Sequence, residues 1–247
     1  MLNIIQTTLI GLFFGTFGTT LGGIIGILLK KNSNRFLSFI LSLASGLMTA
    51  IVSFELIPEA LQISNIFTVI FGILMGIILM VYCDYCVEKK FKKTSKNNIY
   101  KGSLLRTGIV VSIGLAIHNI PEGLAIGSGF ENSLKLGYSL AIAIAIHDIP
   151  EGISMAVPMK NSGVSKIKVI ILVILSGVST GIGAFLGVII GGISEEIIAI
   201  CLSLAAGAML YIVSGELIPE ANNLYKGRLQ VLGSIIGFIM GMCSLYI

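Results

Sequence analysis

Eight apolar stretches, each about 20 residues or longer, divide this chain and leave only short polar or basic segments between them. Hydrophobic residues make up 55% of the 247 residues and charged residues only 11%, whereas a soluble domain carries about 25% charged residues. The sequence therefore predicts one all-α membrane domain over 1–247, an eight-helix transmembrane bundle. Its predicted helices lie near 2–29, 36–60, 65–87, 104–128, 134–157, 167–190, 196–221 and 229–246.

Lysine and arginine are concentrated in alternate loops of this predicted bundle. Fifteen of the 16 basic residues lie in the first, third, fifth and seventh loops, and the other loops hold only Lys135. Because cytoplasmic loops carry the excess of basic residues, these loops, of which 88–106 is the longest, are predicted to be cytoplasmic. Both termini then lie outside a cell membrane. The lipid bilayer is thus one predicted partner, and no feature of the sequence indicates nucleic-acid binding.

Two near-copies of one phrase, AIHNIPEG at 116–123 and AIHDIPEG at 145–152, lie on predicted helices 4 and 5. The histidine and the glutamate of each copy are four residues apart, so they share a helix face, and an amide or a carboxylate flanks that face. Ionisable groups inside an apolar stretch are costly, which indicates a functional site. The polar positions of the two copies are His118, Asn119, Glu122, His147, Asp148 and Glu151.

Imidazole, carboxylate and amide donors together favour a divalent transition metal such as zinc, iron(II) or manganese. Each histidine is about 14 residues, or about 20 Å, from the turn between the two helices, so one ion could lie between them. Pro121 and Pro150 remove backbone donors, so predicted helices 4 and 5 are expected to be kinked at the motif. The alternative is a pair of kinked helices whose polar groups only satisfy one another.

A second internal repeat relates predicted helices 2 and 7. LASGLMTAIVSFELIPEA at 43–60 matches LAAGAMLYIVSGELIPEA at 204–221 in 13 of 18 positions, with an offset of 161 residues. The two copies cross the membrane in opposite directions, as the two histidine motifs also do. Inverted repeats with broken helices around a midplane site are typical of secondary transporters.

The glutamates of this second repeat are predicted to lie along a pathway through the membrane. Glu55 and Glu59 fall near the outer end of helix 2, and Glu216 and Glu220 near the inner end of helix 7. Carboxylates would then stand at an entrance and at an exit. For Glu59 and Glu220 the alternative is capping of a helix end at the membrane interface.

Sulfur-containing side chains give weaker indications of metal binding. Met48 lies seven residues before Glu55 and shares its helix face, so its thioether could be a soft ligand, although membrane methionines more often pack. Cys83 and Cys86 form a single CxxC, which is half of a zinc site or a pair of packed thiols. The role of these two cysteines stays open.

These motifs resemble those of the Zrt/Irt-like (ZIP) family of divalent metal transporters, in its compact prokaryotic form. The resemblance covers nearly the whole chain and is most specific in HNIPEG and HDIPEG. It implies a metal centre formed by the six motif residues, which holds two ions in some members, and it implies that Met48 reaches that centre. Glu55 and Glu216 match acidic positions near the pathway of relatives. Alternating access is implied to move helices 1, 4, 5 and 6 against helices 2, 3, 7 and 8.

Two departures from the family pattern affect these expectations. The loop between helices 3 and 4 contains no histidine, which argues against metal sensing by that loop. On helix 6, Thr180 stands where some members carry a glutamate, so a second ion would be weaker or held differently.

The resulting hypothesis is a non-enzymatic transporter that imports divalent transition-metal ions into the cytoplasm through an intramembrane His/carboxylate site. Zinc is the favoured ion, with iron, manganese and cadmium as further substrates, and one central ion or two are expected. The alternatives are an intramembrane metal-dependent hydrolase, or a metal sensor that binds without flux. The hydrolase is disfavoured because HNxxE lacks the HExxH arrangement. The preferred metal, the energy source and the oligomeric state, a homodimer included, stay open.

Overall fold

The computed structural model describes residues 3–29, 33–91, 99–189 and 195–244, which are nearly all helical and contain no strand. Within these ranges, seven helices are long and apolar enough to cross a membrane, and a shorter apolar helix follows them. The predicted all-α membrane bundle is therefore confirmed. In chain order the helices are α1 Ile4–Leu28, α2 Asn34–Ile63, α3 Ile66–Phe91, α4 Ile99–Asn132, α5 Leu134–Ser162, α6 Lys166–Ile189, α7 from Glu195 to Leu224, and α8 Arg228–Ser244.

The basic segment between α3 and α4 is shorter than the sequence predicts. The expectation of a loop over 88–106 was wrong at both ends, since α3 continues to Phe91 and α4 begins at Ile99. Lysine, arginine and glutamate are good helix formers, so a run of charges does not end a helix where it leaves the apolar region. The remaining part of the predicted loop, 92–98, lies outside the described residues.

Helices α2 and α7 are each interrupted by a π-helical segment, Val52–Leu56 in α2 and Ile212–Leu217 in α7. In both helices a proline, Pro58 or Pro219, follows two residues later. Proline has no N–H for the carbonyl four residues earlier, and the wider π pattern lets that carbonyl face the next donor. Backbone breaks therefore occur in the helices of the ELIPEA repeat.

Helices α4 and α5 were predicted to be kinked at their motifs. The described backbone remains α-helical through Pro121 in α4 and through Pro150 and Pro158 in α5. Loss of one backbone donor at each proline is thus accommodated without a π-helical segment. The angle of any kink at these positions stays a prediction.

The helices pack as two groups. In the first group, α1 packs on α5 and α6, and α4 packs on the same two helices. In the second group, α2 packs on α8, α3 packs on α7, and α2 contacts α7. Contacts between the groups are fewer and are made chiefly by α4 with α7 and α3. These are the two groups that the family resemblance implies.

Close helix crossings repeat at the same 161-residue offset as the ELIPEA repeat. At the α1–α5 crossing, an added Cβ on Gly22 would collide with the Ile149 carbonyl, and one on Gly152 with the Thr19 carbonyl. The α4–α6 crossing has Gly183, offset by 161 from Gly22, in the corresponding contact. Small residues let helix backbones approach this closely in a membrane bundle.

The second group of helices shows the same relation. The α2–α8 crossing uses Gly46 and Gly237, and the α3–α7 crossing uses Gly207 and Gly76, each facing a backbone carbonyl of the partner helix. Gly46 and Gly207, like Gly76 and Gly237, are separated by the 161-residue offset. The repeat therefore relates α1–α3 to α6–α8. Successive helices cross the membrane in opposite directions, and the helices of each related pair are five places apart in the chain. The two copies of the repeat therefore run in opposite directions.

Candidate metal centre

The polar residues of the first motif lie on the buried face of α4. His118 and Asn119 have no exposed surface, and Glu122 is 5% exposed. The i, i+4 spacing brings His118 Nε2 to 2.9 Å from Glu122 Oε1. The two side chains therefore meet inside the bundle, as their spacing predicts.

The second motif brings the Glu151 carboxylate from α5 to the same place. Asp148 and Glu151 are fully buried. Glu151 Oε1 lies 3.7 Å from His118 Nε2, so the imidazole stands between one carboxylate from each helix. His147 belongs to α5, but its side chain lies outside the part of the molecule that the structure describes.

The spacing of these donors is close to that of ligands around one small cation. In a tetrahedral zinc site with bonds of about 2.0 Å, neighbouring ligand atoms are about 3.3 Å apart. The separations of Glu122 and Glu151 from the imidazole, 2.9 and 3.7 Å, lie on either side of that value. Among the side chains that the structure describes, no three imidazole, thiol or carboxylate groups converge closely enough to hold an ion by themselves.

Helix α6 supplies neutral oxygen atoms beside the motifs. The Asn119 side-chain amide donates from Nδ2 to the Ser176 carbonyl oxygen at 3.1 Å. This hydrogen bond fixes the amide orientation. Within the described residues, the buried Asn119 Oδ1, Ser176 Oγ and Thr180 Oγ1 atoms make no hydrogen bond. Thr180 is fully buried and lies beside Gly15 of α1.

Met48 on α2 is 1% exposed and belongs to the large apolar core that α2, α4, α5 and α7 share. Its packing role is thus evident. Its role as a ligand stays a prediction. Cys83 and Cys86 lie near the C-terminal end of α3, and neither is in a disulfide.

A cavity of about 380 Å³ connects the centre with the predicted entrance carboxylates. Glu122 lies in its wall together with Glu55 and Glu59, of which Glu55 is half-buried and Glu59 is exposed. The lining extends to residues near the helix ends opposite the basic segments. These residues are Ile63 of α2, Leu136 of α5 and Ile198 of α7.

The cavity also has a thiol in its wall that sequence reasoning did not single out. Cys201 of α7 is half-buried and lines the cavity with its neighbour Leu202. No periodicity or motif around this cysteine marks it as part of a site. Only the placement of α7 against α2 and α4 brings it there.

Glu216, the counterpart of Glu55 in the other copy of the repeat, is enclosed by the bundle. Glu216 on α7 is 3% exposed, and its Oε1 lies 3.1 Å from Arg106 on α4. Its Oε2 accepts a hydrogen bond from Thr107 at 3.0 Å. Glu220 is also buried. Glu55 and Glu216 thus occupy equivalent repeat positions in unlike surroundings, one beside a cavity and the other in an ion pair.

Two paired motifs on an apolar bundle of this architecture define a multi-pass membrane protein with a buried polar centre. A family profile described as "ZIP Zinc transporter" matches residues 86–246. The chain is similar to "Zinc transporter ZupT" of Enterobacter sp. (strain 638), with 30% identity over 234 residues, 91% of this chain and 90% of that protein. It is 32% identical over 232 residues to the Shigella dysenteriae serotype 1 (strain Sd197) protein of the same name, covering 90% of each chain. The protein therefore belongs to the ZIP family.

Proposed function

We propose that this protein is a transporter that moves divalent transition-metal ions, zinc first among them, through the membrane into the cytoplasm. The observation that carries the proposal is the position of Glu122, which belongs to the buried paired motif and also lines the cavity. A buried polar centre that solvent reaches from one side is what a carrier with alternating access requires. Membership of a family whose relatives are named zinc transporters supports the same function.

We expect one central ion, bound between α4 and α5. The proposed ligands comprise imidazole nitrogens, carboxylate oxygens and an amide oxygen, a donor set that suits zinc and also accepts iron(II), manganese and cadmium. Protonation of the imidazoles and carboxylates would help to release the ion, because metal ligands must be deprotonated. The proposed ligands are His118, Asn119, Glu122, His147, Asp148 and Glu151.

A second ion would use neutral donors where some relatives have an acid. Ser176, whose carbonyl accepts from Asn119, and Thr180 each have a buried hydroxyl oxygen on α6. Hydroxyl groups are weaker ligands for zinc than a carboxylate, so the second ion is expected to bind less tightly. Met48, Glu55, Glu59, Glu216 and Glu220 are proposed to lie along the pathway.

The alternatives predict different behaviour. A metal-dependent hydrolase needs a water-activating base beside its metal ligands, and a sensor needs no pathway on the far side of its site. Relatives named transporters, and the repetition of the same helix crossings at one offset, favour transport over both. The two groups of helices, α1, α4, α5, α6 and α2, α3, α7, α8, are proposed to be the parts that move against each other.

The decisive experiment is uptake of radioactive zinc and radioactive iron(II) into proteoliposomes. Wild-type protein is expected to give time-dependent accumulation that saturates with metal concentration. The double variant His118→Ala, His147→Ala is expected to accumulate no more than protein-free liposomes, because both imidazole ligands are lost. Binding without accumulation by the wild type would instead identify a sensor.

The proposed orientation places both termini and the cavity mouth outside the cell. Lys226, between α7 and α8, and Lys135, at the start of α5, are exposed and lie at opposite ends of the bundle. With the native cysteines replaced by serine, Lys135→Cys is expected to react with an impermeant maleimide in intact cells. Lys226→Cys is expected to react only after permeabilisation. The reverse pattern would overturn the orientation.

A further inference from the structure

A network of polar and charged groups joins α4 to α3 and α7 at the end of the bundle nearest the basic segments. Arg106 of α4 donates from Nη2 to both carboxylate oxygens of Asp84 on α3, each 2.6 Å away. Tyr211 of α7 donates its hydroxyl hydrogen to Asp84 Oδ2 at 2.8 Å. The same Arg106 nitrogen reaches Glu216, whose second oxygen is held by Thr107.

This network is largely removed from solvent. The side chain of Glu216 is 2% exposed, that of Asp84 13% and that of Arg106 33%. A carboxylate buried to this degree is stable as an anion only beside a cation or several donors. The positive charge of Arg106 therefore stabilises the carboxylates of both Asp84 and Glu216.

The ion pairs cross the boundary between the two groups of helices. Arg106 and Thr107 belong to α4, in the group with α1, α5 and α6, whereas Asp84 and Glu216 belong to the other group. At the opposite end, the same boundary is occupied by the cavity that reaches Glu122. One end of the boundary is thus closed by charges while the other end is open.

We propose that Arg106 is a latch that keeps the cytoplasmic end of the bundle closed while the cavity is open, and that Glu216 leaves the latch when the protein turns inward. The inference rests on the proposed function, because only a carrier needs to close its two ends in turn. Asp84 is the stronger partner of the guanidinium, since both of its oxygens accept from Arg106 and it is itself held by Tyr211. Glu216 is the exchangeable partner, and once released it presents a carboxylate to a departing divalent cation.

Two thiol reporters can follow the two ends separately in metal-free nanodiscs. Cys201 lines the cavity and reports the open end, in a protein whose Cys83, Cys86 and Cys243 are serine. Ile212→Cys, in a protein with every native cysteine replaced, reports the closed end. Ile212 is fully buried and would contact any side chain added at Gly114 of α4, so it lies at the boundary.

Arg106→Ala is expected to lower the maleimide reaction rate of Cys201 and to raise that of the thiol at position 212. Suppose that the ratio of closed to open cytoplasmic ends begins near ten to one. A tenfold fall in this ratio then lowers the Cys201 rate about twofold and raises the rate at position 212 about fivefold. Arg106→Lys is expected to restore part of both rates. Thr107→Val, which removes only the hydrogen bond to Glu216, is expected to shift both rates in the same directions by less.

Arg35→Ala is the matched control. Arg35 is also a cytoplasmic-end arginine, but it stacks over the Tyr225 ring at 5.0 Å, within the second group of helices. Its loss is expected to leave both rates unchanged.

Wild-type rates at both reporters in Arg106→Ala would overturn the latch. A rise at both reporters would also overturn it, because that pattern indicates loosened packing. Opposite shifts in a protein that accumulates no zinc would remove the proposed transport and leave the latch standing. Zinc uptake by a protein whose two reporter rates do not shift in Arg106→Ala would overturn the latch and leave the proposed transport standing.

Discussion

Glu122→Gln and Glu151→Gln are each expected to reduce zinc uptake into proteoliposomes at least about a hundredfold, while the variant proteins are expected to insert and purify as the wild type does. Substitution of groups that only orient metal ligands costs up to about a hundredfold, so loss of a charged ligand is expected to cost no less. Each glutamate stands beside His118 Nε2, at 2.9 and 3.7 Å, and both side chains are buried in the bundle. Glutamine keeps the shape and removes only that charge.

Glu196→Gln is the control for this prediction, because Glu196 is an exposed acid near the start of α7. Uptake by this variant is expected to equal that of the wild type. The measurement is the initial rate of radioactive zinc accumulation at equal protein per liposome. Wild-type uptake by either Glu122→Gln or Glu151→Gln would mean that the ion does not pass between α4 and α5.

The bundle and the paired motif were predictable from sequence because both depend on local patterns. Apolar runs of membrane length indicate helices, and the spacing of His118 and Glu122 puts them on one face whatever the surrounding fold. The family resemblance then indicated which helices form each of the two groups. None of these inferences required knowledge of which helices touch.

The π-helical segments were not predicted, although prolines were used to predict kinks. Four of the prolines concerned stand in similar IPE contexts, and the sequence around them does not distinguish Pro58 and Pro219 from Pro121 and Pro150. The helices that contain Pro121 and Pro150 pack closely on α6 and α1 at glycine crossings within two residues of these prolines. Packing of the whole helix, which a local pattern does not contain, therefore decides where the backbone widens.

The charged network around Arg106 was not predicted, for a different reason. Arg106 was counted as a loop residue, and Asp84 was not considered as its partner. An aspartate within an apolar helix and an arginine at the start of the next helix are a pair that sequence alone can propose. The participation of Glu216 and Tyr211 depends on α7 packing beside α3 and α4, which only the structure shows.

Alternating access predicts that zinc changes the accessibility of the two ends of the boundary in opposite directions. An ion shifts the balance between two states only through different affinities for them, and any such shift must open one end while it closes the other. Cys201 reports the cavity, and Ile212→Cys reports the closed end. A static binding site has no reason to couple the two reporters.

The most direct test is the maleimide reaction rate of each reporter with and without zinc, in protein embedded in nanodiscs. Direct shielding of Cys201 by zinc is excluded by repeating both measurements in Glu122→Gln, Glu151→Gln protein, where zinc is expected to change neither rate. In protein with the intact centre, one rate is expected to rise and the other to fall. Parallel changes at both reporters, or none while zinc binding is demonstrated, would contradict transport through this centre.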